Sequence, residues 1–344
     1  MLISRTINIP ICLEVGKGKV NSVKEVLSSH NLSFEKAILV TTKHLYEKYR
    51  SHLNLIFSEV IFIDKSDEKN VAEVSRHLRK HNQDSLVLAF GGGKTIDVAK
   101  SAASAVGMNY LSIPTTLSSD GIYSPVSVIT GSDGRKKSLG ANIPLGILID
   151  LDIVGDSPRE LIVAGIGDLV SNISALEDWK LAKKDGIEPI DDFAYTISYL
   201  ATDSILSSEF GQVDDHDFLK NLAYGLVTAG LSMEIAGTSR PCSGSEHMFS
   251  HAIDYLYPEK SRPHGIQVAF GTLLMEVWRG HDIENLVNFF KRSGLPINIK
   301  EFGLPVNVIR EALLYAPKIR ERYTIFNRVK PTPSRVDALI KKFS

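Results

Sequence analysis

Mostly aliphatic runs of four or five residues alternate with amphipathic stretches through the first quarter of the chain. The runs occupy 11–15, 37–40, 60–63 and 86–90, and apolar residues recur at helical spacing after the first three runs. Strands that are apolar throughout are typical of a parallel sheet covered by helices on both faces. The pattern therefore predicts a doubly wound α/β domain over residues 1–156.

Helical periodicity replaces this alternation in the second half, most clearly over 193–208 and 218–235. Ser157, Pro158 and Glu160 are residue types that begin helices, and the Glu follows the Ser by three positions, as in a capping box. We therefore predict an all-α second domain over residues 157–344.

Charge and cysteine content narrow the function classes. The 344 residues include 39 Lys and Arg against 40 Asp and Glu, so the net charge of −1 gives no general attraction to nucleic acid or to an anionic membrane. Cys12 and Cys242 form no paired motif, which favours a reducing compartment. Residues 1–15 do not resemble a signal peptide, and no apolar run is long enough to span a membrane. We expect a cytoplasmic protein with a small-molecule substrate, and a homo-oligomer stays open.

Three consecutive glycines follow the fourth aliphatic run and precede a helical pattern. Glycines allow backbone N–H groups to approach a ligand closely, and the helix that follows contributes its positive N-terminal end. A tight turn without a ligand is the alternative. The predicted pyrophosphate-binding residues are Gly91, Gly92, Gly93, Lys94 and Thr95.

Two other phosphate motifs do not fit this loop. The dinucleotide fingerprint GxGxxG would need glycine at Ile96, and a P-loop would need glycine at Leu88. An ATPase is therefore disfavoured. The next strand-like segment, 110–114, runs into the polar segment 115–121, which would lie at the carboxyl end of the sheet where α/β proteins bind ligands. Together with the glycines, this segment favours a ligand site over ordinary turn residues.

Three histidines and one aspartate suggest a metal site. His247 and His251 are four residues apart and would share one face of a helix, and His264 follows before a glycine. Asp168 lies in an apolar, glycine-rich segment, where a carboxylate needs a cation nearby or serves as a helix N-cap. Asp168 with two of the histidines and one open position would suit a catalytic Zn²⁺.

These segments together resemble the superfamily of glycerol dehydrogenase, glycerol-1-phosphate dehydrogenase and 3-dehydroquinate synthase, over about 15–326. The segments 119–125 and 243–247 are most similar to the glycerol-1-phosphate dehydrogenase branch. The resemblance implies a dehydroquinate synthase-like fold, with a nucleotide-binding first domain and a metal-binding helical domain. It implies NAD or NADP as cofactor and a bound metal, Zn²⁺ ahead of Fe²⁺ or Ni²⁺.

The resemblance also implies individual roles. His247 is preferred over His251 as a ligand, because the family's two histidine ligands have the wider spacing. The implied residues are Asp168, His247 and His264 for the metal, Asp120 and His251 for substrate and catalysis, and Thr115, Thr116, Leu117, Ser118 and Ser124 for the cofactor.

The chain departs from its relatives at several positions. Asn172 stands where the iron-containing alcohol dehydrogenases have a histidine, Asp168 stands where typical 3-dehydroquinate synthases have a glutamate, and Ile266 replaces a common glutamate. Lys43 occupies the region where an acidic residue would favour NAD, so NADP stays equally open.

The implied reaction is hydride transfer between a nicotinamide and a small ketone or alcohol, with the active site expected in the cleft between the domains. Dihydroxyacetone phosphate with sn-glycerol 1-phosphate is the first substrate pair, and an unphosphorylated polyol such as glycerol is the alternative. A dehydroquinate synthase-type lyase and a non-catalytic dinucleotide-binding protein are further alternatives. A phosphorylated substrate requires cations, for which the candidates are 135–137, Arg240 and Arg262.

Overall fold

The computed structural model describes residues 7–344, which form two compact units, one ending at Ser157 and the other beginning at Pro158. Predictions for residues 1–6, within the N-terminal segment and the first domain, lie outside the described residues. Between residues 7 and 344, no helix combines the length and the apolar character that crossing a membrane requires.

The first unit contains eight strands and five helices in its described part. The strands are β1 (Cys12–Gly16), β2 (Lys36–Thr41), β3 (Glu59–Phe62), β4 (Ser85–Gly91), β5 (Tyr110–Pro114), β6 (Val126–Thr130), β7 (Lys136–Gly140) and β8 (Gly146–Asp150). The helices are α1 (Val23–Ser29), α2 (Lys43–Tyr49), α3 (Glu68–Leu78), α4 (Gly93–Val106) and α5 (Leu151–Gly155).

Six of these strands form one sheet in the order β1-β8-β5-β4-β2-β3, and every neighbouring pair is parallel. All residues of the central strands β4 and β5 are buried, as expected for a sheet covered on both faces. The α/β prediction is therefore confirmed. β8 escaped prediction because its apolar part is only Ile147–Ile149, bounded by a glycine and an aspartate.

The remaining strands, β6 and β7, pair antiparallel as a hairpin. The basic run 135–137 flanks its turn, where Gly134 has a φ of 76°. Lys137 lies 3.2 Å from Glu68 in an exposed ion pair. The position of the basic run beside the hairpin turn and its exposed ion pair are therefore those of ordinary surface residues.

The second unit is helical, and residues 158–344 contain no strand. Its helices are α6 (Arg159–Val170), α7 (Asn172–Lys184), α8 (Asp192–Leu206), α9 (His216–Ala236), α10 (Ser245–Leu256), α11 (His264–Arg279), α12 (Glu284–Ser293), α13 (Ile299–Phe302), α14 (Val306–Tyr315), α15 (Ile325–Arg328) and α16 (Pro333–Lys341). The all-α prediction for this half is confirmed.

The predicted capping box at the start of the second unit is wrong. α6 begins at Arg159 without a side-chain cap. The hydroxyl of Ser157 instead donates to the carbonyl of Val154, 2.7 Å away, at the end of α5. The N-cap position of α6 is occupied by Pro158, so Ser157 lies one residue too early to cap this helix.

Candidate active site

The glycine run lies at the carboxyl end of the parallel sheet. Gly91 is the last residue of β4 and is in register with Pro114, the last residue of β5. The backbone N–H of Thr115 donates to the carbonyl of Gly91 at 3.0 Å. The predicted cofactor loops 91–95 and 115–118 therefore lie side by side at the edge where α/β sheets bind ligands.

Local packing explains the glycines. A Cβ at Gly91 would lie 2.5 Å from the hydroxyl oxygen of Thr95, whereas a Cβ at Gly93 would meet no atom within 4 Å. α4 begins at Gly93 with no side-chain cap, so its first N–H groups have no acceptor from a capping side chain. Open space beside free N–H groups is what a bound pyrophosphate requires.

The other predicted cofactor residues differ in what they present. Thr116 and Ser118 are partly exposed, and their hydroxyl oxygens are 3.5 Å apart. The Leu117 side chain is fully buried, so only its backbone can face a ligand. The Ser124 hydroxyl donates to the carbonyl of Val126 at 3.2 Å and is likewise buried.

A buried lysine, which sequence analysis missed, supports this region. Lys100 is fully buried on α4, and its Nζ donates to the carbonyls of Gly121, Ser124 and Val126 at 2.8–2.9 Å. The same Nζ lies 3.8 Å from a carboxylate oxygen of Asp97. Lys100 therefore fixes the segment that begins with Asp120. Its signal was a lysine amid the alanines and valine of α4, three residues after an aspartate.

The carboxyl groups near Lys100 bind protons unusually tightly. Burial raises the pKa of Asp97 to about 6, against the opposing attraction of Lys100. Burial also raises the pKa of Asp120 to about 6, again against Lys100, and the neighbouring charge of Asp97 raises it further. Asp120 can therefore hold or release a proton near neutral pH.

Three predicted metal ligands converge in the second unit. Asp168 of α6, His247 of α10 and His264 of α11 each offer a ligand atom, and these atoms lie within 4.8 Å of one another. Asp168 and His247 are buried, and His264 is partly exposed. Asp168 lies near the C-terminal end of α6, so the alternative that it is a helix N-cap is wrong.

Two glycines allow the helices that carry these ligands to approach. A Cβ at Gly265 would lie 1.7 Å from the carbonyl oxygen of Ala164, and one at Gly167 would lie 2.3 Å from the carbonyl oxygen of Gly265. Only glycine permits backbone contact this close. Because Gly167 precedes Asp168 and Gly265 follows His264, the helix crossing itself brings these two ligands together.

Neighbouring side chains orient both histidines. The Nδ1 of His247 lies 2.8 Å from a carboxylate oxygen of the fully buried Glu246, and the Nδ1 of His264 lies 3.2 Å from the Ser250 hydroxyl. Such bonds engage Nδ1, so that Nε2 is the nitrogen that would coordinate a metal. Burial holds the pKa of His247 well below its usual range, and the charges of Arg320 and Arg322 lower it further. His247 is therefore neutral at pH 7, the form that binds metal.

His251 lies beside this group. Its ring stacks on that of His264 with centroids 5.6 Å apart, and the ring of His247 is 6.0 Å away. Burial holds the pKa of His251 well below its usual range, and the neighbouring His264, Arg320 and His247 lower it further. A neutral imidazole here can accept a hydrogen bond from a substrate bound near Asp168, His247 and His264, or donate one to it.

A buried ion-pair network fixes the start of α10. The carboxylate of Asp178 is fully buried and lies 2.6 Å from the guanidinium of Arg279. It also accepts the backbone N–H groups of Ser245 at 2.7 Å and Ile325 at 2.8 Å. Asp178 thereby joins α7, α10, α11 and the start of α15, which positions His247 in the first turn of α10.

Asn172, one of the positions where the chain differs from its relatives, carries a buried amide whose nitrogen lacks a hydrogen bond within residues 7–344. Asn172 is 1% exposed, and its side-chain nitrogen has no hydrogen-bond partner in the described part of the chain. It opens α7, four residues after Asp168, at the position where the resemblance to iron-containing alcohol dehydrogenases implied a histidine. The amide donor is available to a ligand near Asp168, whereas a further imidazole ligand is absent from this position.

The arginines that sequence analysis named as phosphate candidates bind protein groups instead. Arg240 forms an ion pair with Glu188 and is 4% exposed. Arg262 donates to the carbonyl of Phe302 at 2.6 Å and to Glu160 at 3.0 Å. Both arginines therefore have structural roles.

The donor set fits a divalent metal ion. One carboxylate and two imidazoles, each with its second ring nitrogen already engaged, match the ligands that zinc takes at catalytic sites. The distance of 3.6 Å between Nε2 of His264 and Oδ1 of Asp168 is too long for a good hydrogen bond.

Comparison with known proteins gives consistent results. The model of the iron-containing alcohol dehydrogenase family matches residues 14–158. Glycerol-1-phosphate dehydrogenase (NAD(P)+) of Hyperthermus butylicus is 37% identical over 326 residues, covering 93% of each chain. The enzyme of the same name from Pyrococcus furiosus is 36% identical over 92% of each chain.

Solved structures share the fold. Glycerol dehydrogenase from Schizosaccharomyces pombe superimposes with a TM-score of 0.80 at 21% identity, covering 99% of this chain and 90% of the other. A probable glycerol dehydrogenase from Sinorhizobium meliloti also gives 0.80, at 20% identity and 99% and 98% coverage. The resemblance inferred from the sequence motifs is confirmed, and the chain belongs to the glycerol-1-phosphate dehydrogenase family.

Proposed function

We propose that the protein catalyses reversible hydride transfer between NAD(P) and the pair dihydroxyacetone phosphate and sn-glycerol 1-phosphate. The observation that carries the proposal is the convergence of Asp168, His247 and His264 within 4.8 Å. The name and 37% identity of the Hyperthermus relative support the choice of substrate pair.

We assign the two binding roles to different units. The first unit would bind the dinucleotide through 91–95 and 115–118, since these loops present free N–H groups and hydroxyls at the sheet edge. The second unit would hold the metal. Zn²⁺ is the first choice, because one carboxylate and two imidazoles suit it well, with Fe²⁺ and Ni²⁺ as competitors. Cys12 and Cys242 are buried and are not joined in a disulfide, which agrees with a cytoplasmic location.

The chain's own residues would position the substrate and move a proton. A divalent cation at the Asp168 site would polarise the substrate oxygen, and the nicotinamide would carry the hydride. His251, neutral and stacked on His264, would hydrogen-bond a substrate hydroxyl. Asp120, with a pKa of about 6, would accept or return the proton. Lys100 would keep the Asp120 segment in place.

Substrate comparison tests this proposal. Zinc-loaded protein is mixed with NADH or NADPH and with either dihydroxyacetone phosphate or dihydroxyacetone, and the fall in nicotinamide absorbance is followed. We expect kcat/KM to be at least about 100-fold higher for the phosphate ester, because a dianion forms strong charge-assisted hydrogen bonds. Equal or faster turnover of dihydroxyacetone would favour a polyol dehydrogenase. No oxidation with either ketone would contradict the proposal and favour a lyase.

A further inference from the structure

A cavity of about 820 Å³ within the second unit carries an excess of positive charge. Its volume lies in the range of small-molecule sites. Two acidic residues, Glu188 and Glu321, line it. The cationic lining residues are Arg240, Lys318, Arg320, Arg322 and Lys330.

The arginines of this cavity differ in how they are compensated. Arg240 is neutralised by its ion pair with Glu188. Arg322 donates to the carbonyl of Ser243 and, at 2.9 Å, to the hydroxyl of Ser239, and Arg320 donates to the hydroxyl of Ser243. All these acceptors are neutral. Across residues 7–344, neither Arg320 nor Arg322 forms an ion pair with a carboxylate.

Hydrogen bonding of Arg320 is also incomplete. Its Nε is buried and has no partner among the described residues. A buried donor on a charged group is costly to leave unpaired. Burial lowers the pKa of Arg320 to about 10 and that of Arg322 to about 9, and for Arg322 repulsion by Arg320 and Arg240 adds to the effect. Two guanidinium groups at one cavity therefore make no direct ion pair with a described residue, although the buried carboxylate of Glu246 still favours the charge of both.

We propose that Arg320 and Arg322 bind the phosphate monoester of the substrate in this cavity. The guanidinium fork matches phosphate oxygens in geometry, and a phosphate dianion would supply the direct ion pair that both arginines lack within residues 7–344. The assignment rests on the proposed function, which provides a substrate with a phosphate group.

The two arginines hold the segment that leads into the metal candidate. Ser243, which accepts from both, precedes α10 by two residues, and His247 lies in the first turn of that helix. The short segment 243–247 would thus connect the arginines that bind the phosphate to the metal candidate that binds the substrate oxygen. Sequence analysis missed this pair. Its signal was two arginines separated by a single residue, Arg320 and Arg322, shortly before the capping box at Thr324.

Charge-neutralising variants test the assignment. Arg320→Gln and Arg322→Gln are compared with wild type for kcat/KM toward dihydroxyacetone phosphate and dihydroxyacetone. We expect a loss of about 10- to 100-fold for the phosphate ester, mostly through a higher KM, and little change for dihydroxyacetone. Arg335→Gln, which removes an exposed charge on α16, is the matched control and should leave both values unchanged.

A binding readout independent of turnover accompanies the kinetics. Inorganic phosphate should raise the Tm of wild type and of Arg335→Gln, and should have a much smaller effect on the two glutamine variants. Arg322→Lys, which retains the charge, should recover part of the shift and part of the lost activity toward the phosphate ester. A lysine that only held Ser239 and Ser243 would instead restore turnover of both ketones and would not restore the phosphate-dependent rise in Tm.

Three outcomes would overturn the assignment. One is an equal loss with both ketones, which would make the arginines purely structural. Another is a loss confined to NADPH and absent with NADH, which would place the cofactor's 2′-phosphate in the cavity. The third is an undiminished preference for dihydroxyacetone phosphate in both glutamine variants. Failure of the proposed function looks different, because wild type itself would then show no preference for the phosphate ester.

Discussion

Asp120 illustrates how a single residue can set the pH dependence of activity. Its pKa of about 6 follows from burial, with Lys100 opposing and Asp97 reinforcing the shift. Below pH 6 the carboxyl group is mostly protonated and cannot accept a proton from a substrate hydroxyl. Because kcat/KM reports the ionisation of the free enzyme, kcat/KM of wild type for oxidation of sn-glycerol 1-phosphate should fall as the pH drops below about 6.

Asp120→Asn should remove this dependence. We expect the variant's kcat/KM to be about 100-fold lower at pH 7.5, since positioned proton transfer contributes that much, and to be flat between pH 5 and 7. The measurement is a pH profile of kcat/KM for oxidation of sn-glycerol 1-phosphate by NAD+ or NADP+. Asp133→Asn, at an exposed turn, is the control and should keep the wild-type profile. If Asp120→Asn retains the fall below pH 6, another group, such as Asp97, is responsible.

Residue types with strong chemical preferences could be predicted from the sequence. Asp168, His247 and His264 stood out because a carboxylate in an apolar segment and two spaced histidines need an explanation, and the structure brings their ligand atoms together. Lys100 and Arg320 could not be predicted in the same way. Their roles depend on burial and on missing partners, which are properties of the packed chain, whereas a single Lys or Arg is usually a surface residue.

At the scale of elements, the crossing of α6 and α11 determines whether a metal site can exist. Gly265 lies against the backbone of Ala164, and Gly167 lies against Gly265. No side chain can move aside to relieve a clash here, since the contacting atoms are backbone. A substitution at this crossing therefore tests whether the metal site depends on close helix packing or only on the identities of its ligands.

Gly265→Ala should lose zinc although every ligand is intact. The added Cβ would lie 1.7 Å from the Ala164 carbonyl oxygen, so the helices must separate, at a cost of about 1–3 kcal/mol in the free energy of unfolding. Thermal unfolding and the zinc content of the purified protein measure the two effects. Gly211→Ala is the control, because its Cβ would lie 3.5 Å from Asp215 Oδ2, an ordinary contact. Full zinc content in Gly265→Ala would contradict the role given to the crossing.

Element prediction succeeded where the pattern was long or uniform and failed where it was short. The parallel strands β4 and β5 were predicted within one residue of their ends, because all their residues are buried and apolar runs of that length are distinctive. β8 has too few apolar residues to stand out, although it lies between β1 and β5. The false capping box at Ser157 has a different cause, since Pro158 and not Ser157 occupies the N-cap position of α6.

At the scale of the whole molecule, the two proposed ligands belong to two separate units. The dinucleotide loops lie in the unit that ends at Ser157, and the metal candidates lie in the unit that begins at Pro158. A ligand that binds only the folded state stabilises it by about 2.7 kcal/mol at a concentration 100 times its Kd. Each ligand should therefore raise the Tm, and each effect should depend on residues of one unit.

Two variants should separate these effects. His264→Ala should abolish the rise in Tm caused by Zn²⁺ and keep the rise caused by NADH. Gly93→Asp should do the opposite, because the open space at Gly93 accommodates the side chain and a carboxylate suits the start of α4, while its charge repels a pyrophosphate. Differential scanning fluorimetry with each ligand measures both shifts.

Gly93→Ala completes this comparison, since it adds the Cβ without the charge. It should keep more of the NADH shift than Gly93→Asp, because the N–H groups at the start of α4 stay available and only the carboxylate opposes the pyrophosphate. Equal loss in both variants would mean that the Cβ alone blocks the dinucleotide. If His264→Ala instead loses both shifts, the metal and the dinucleotide do not bind independently, and the assignment of one ligand to each unit is wrong.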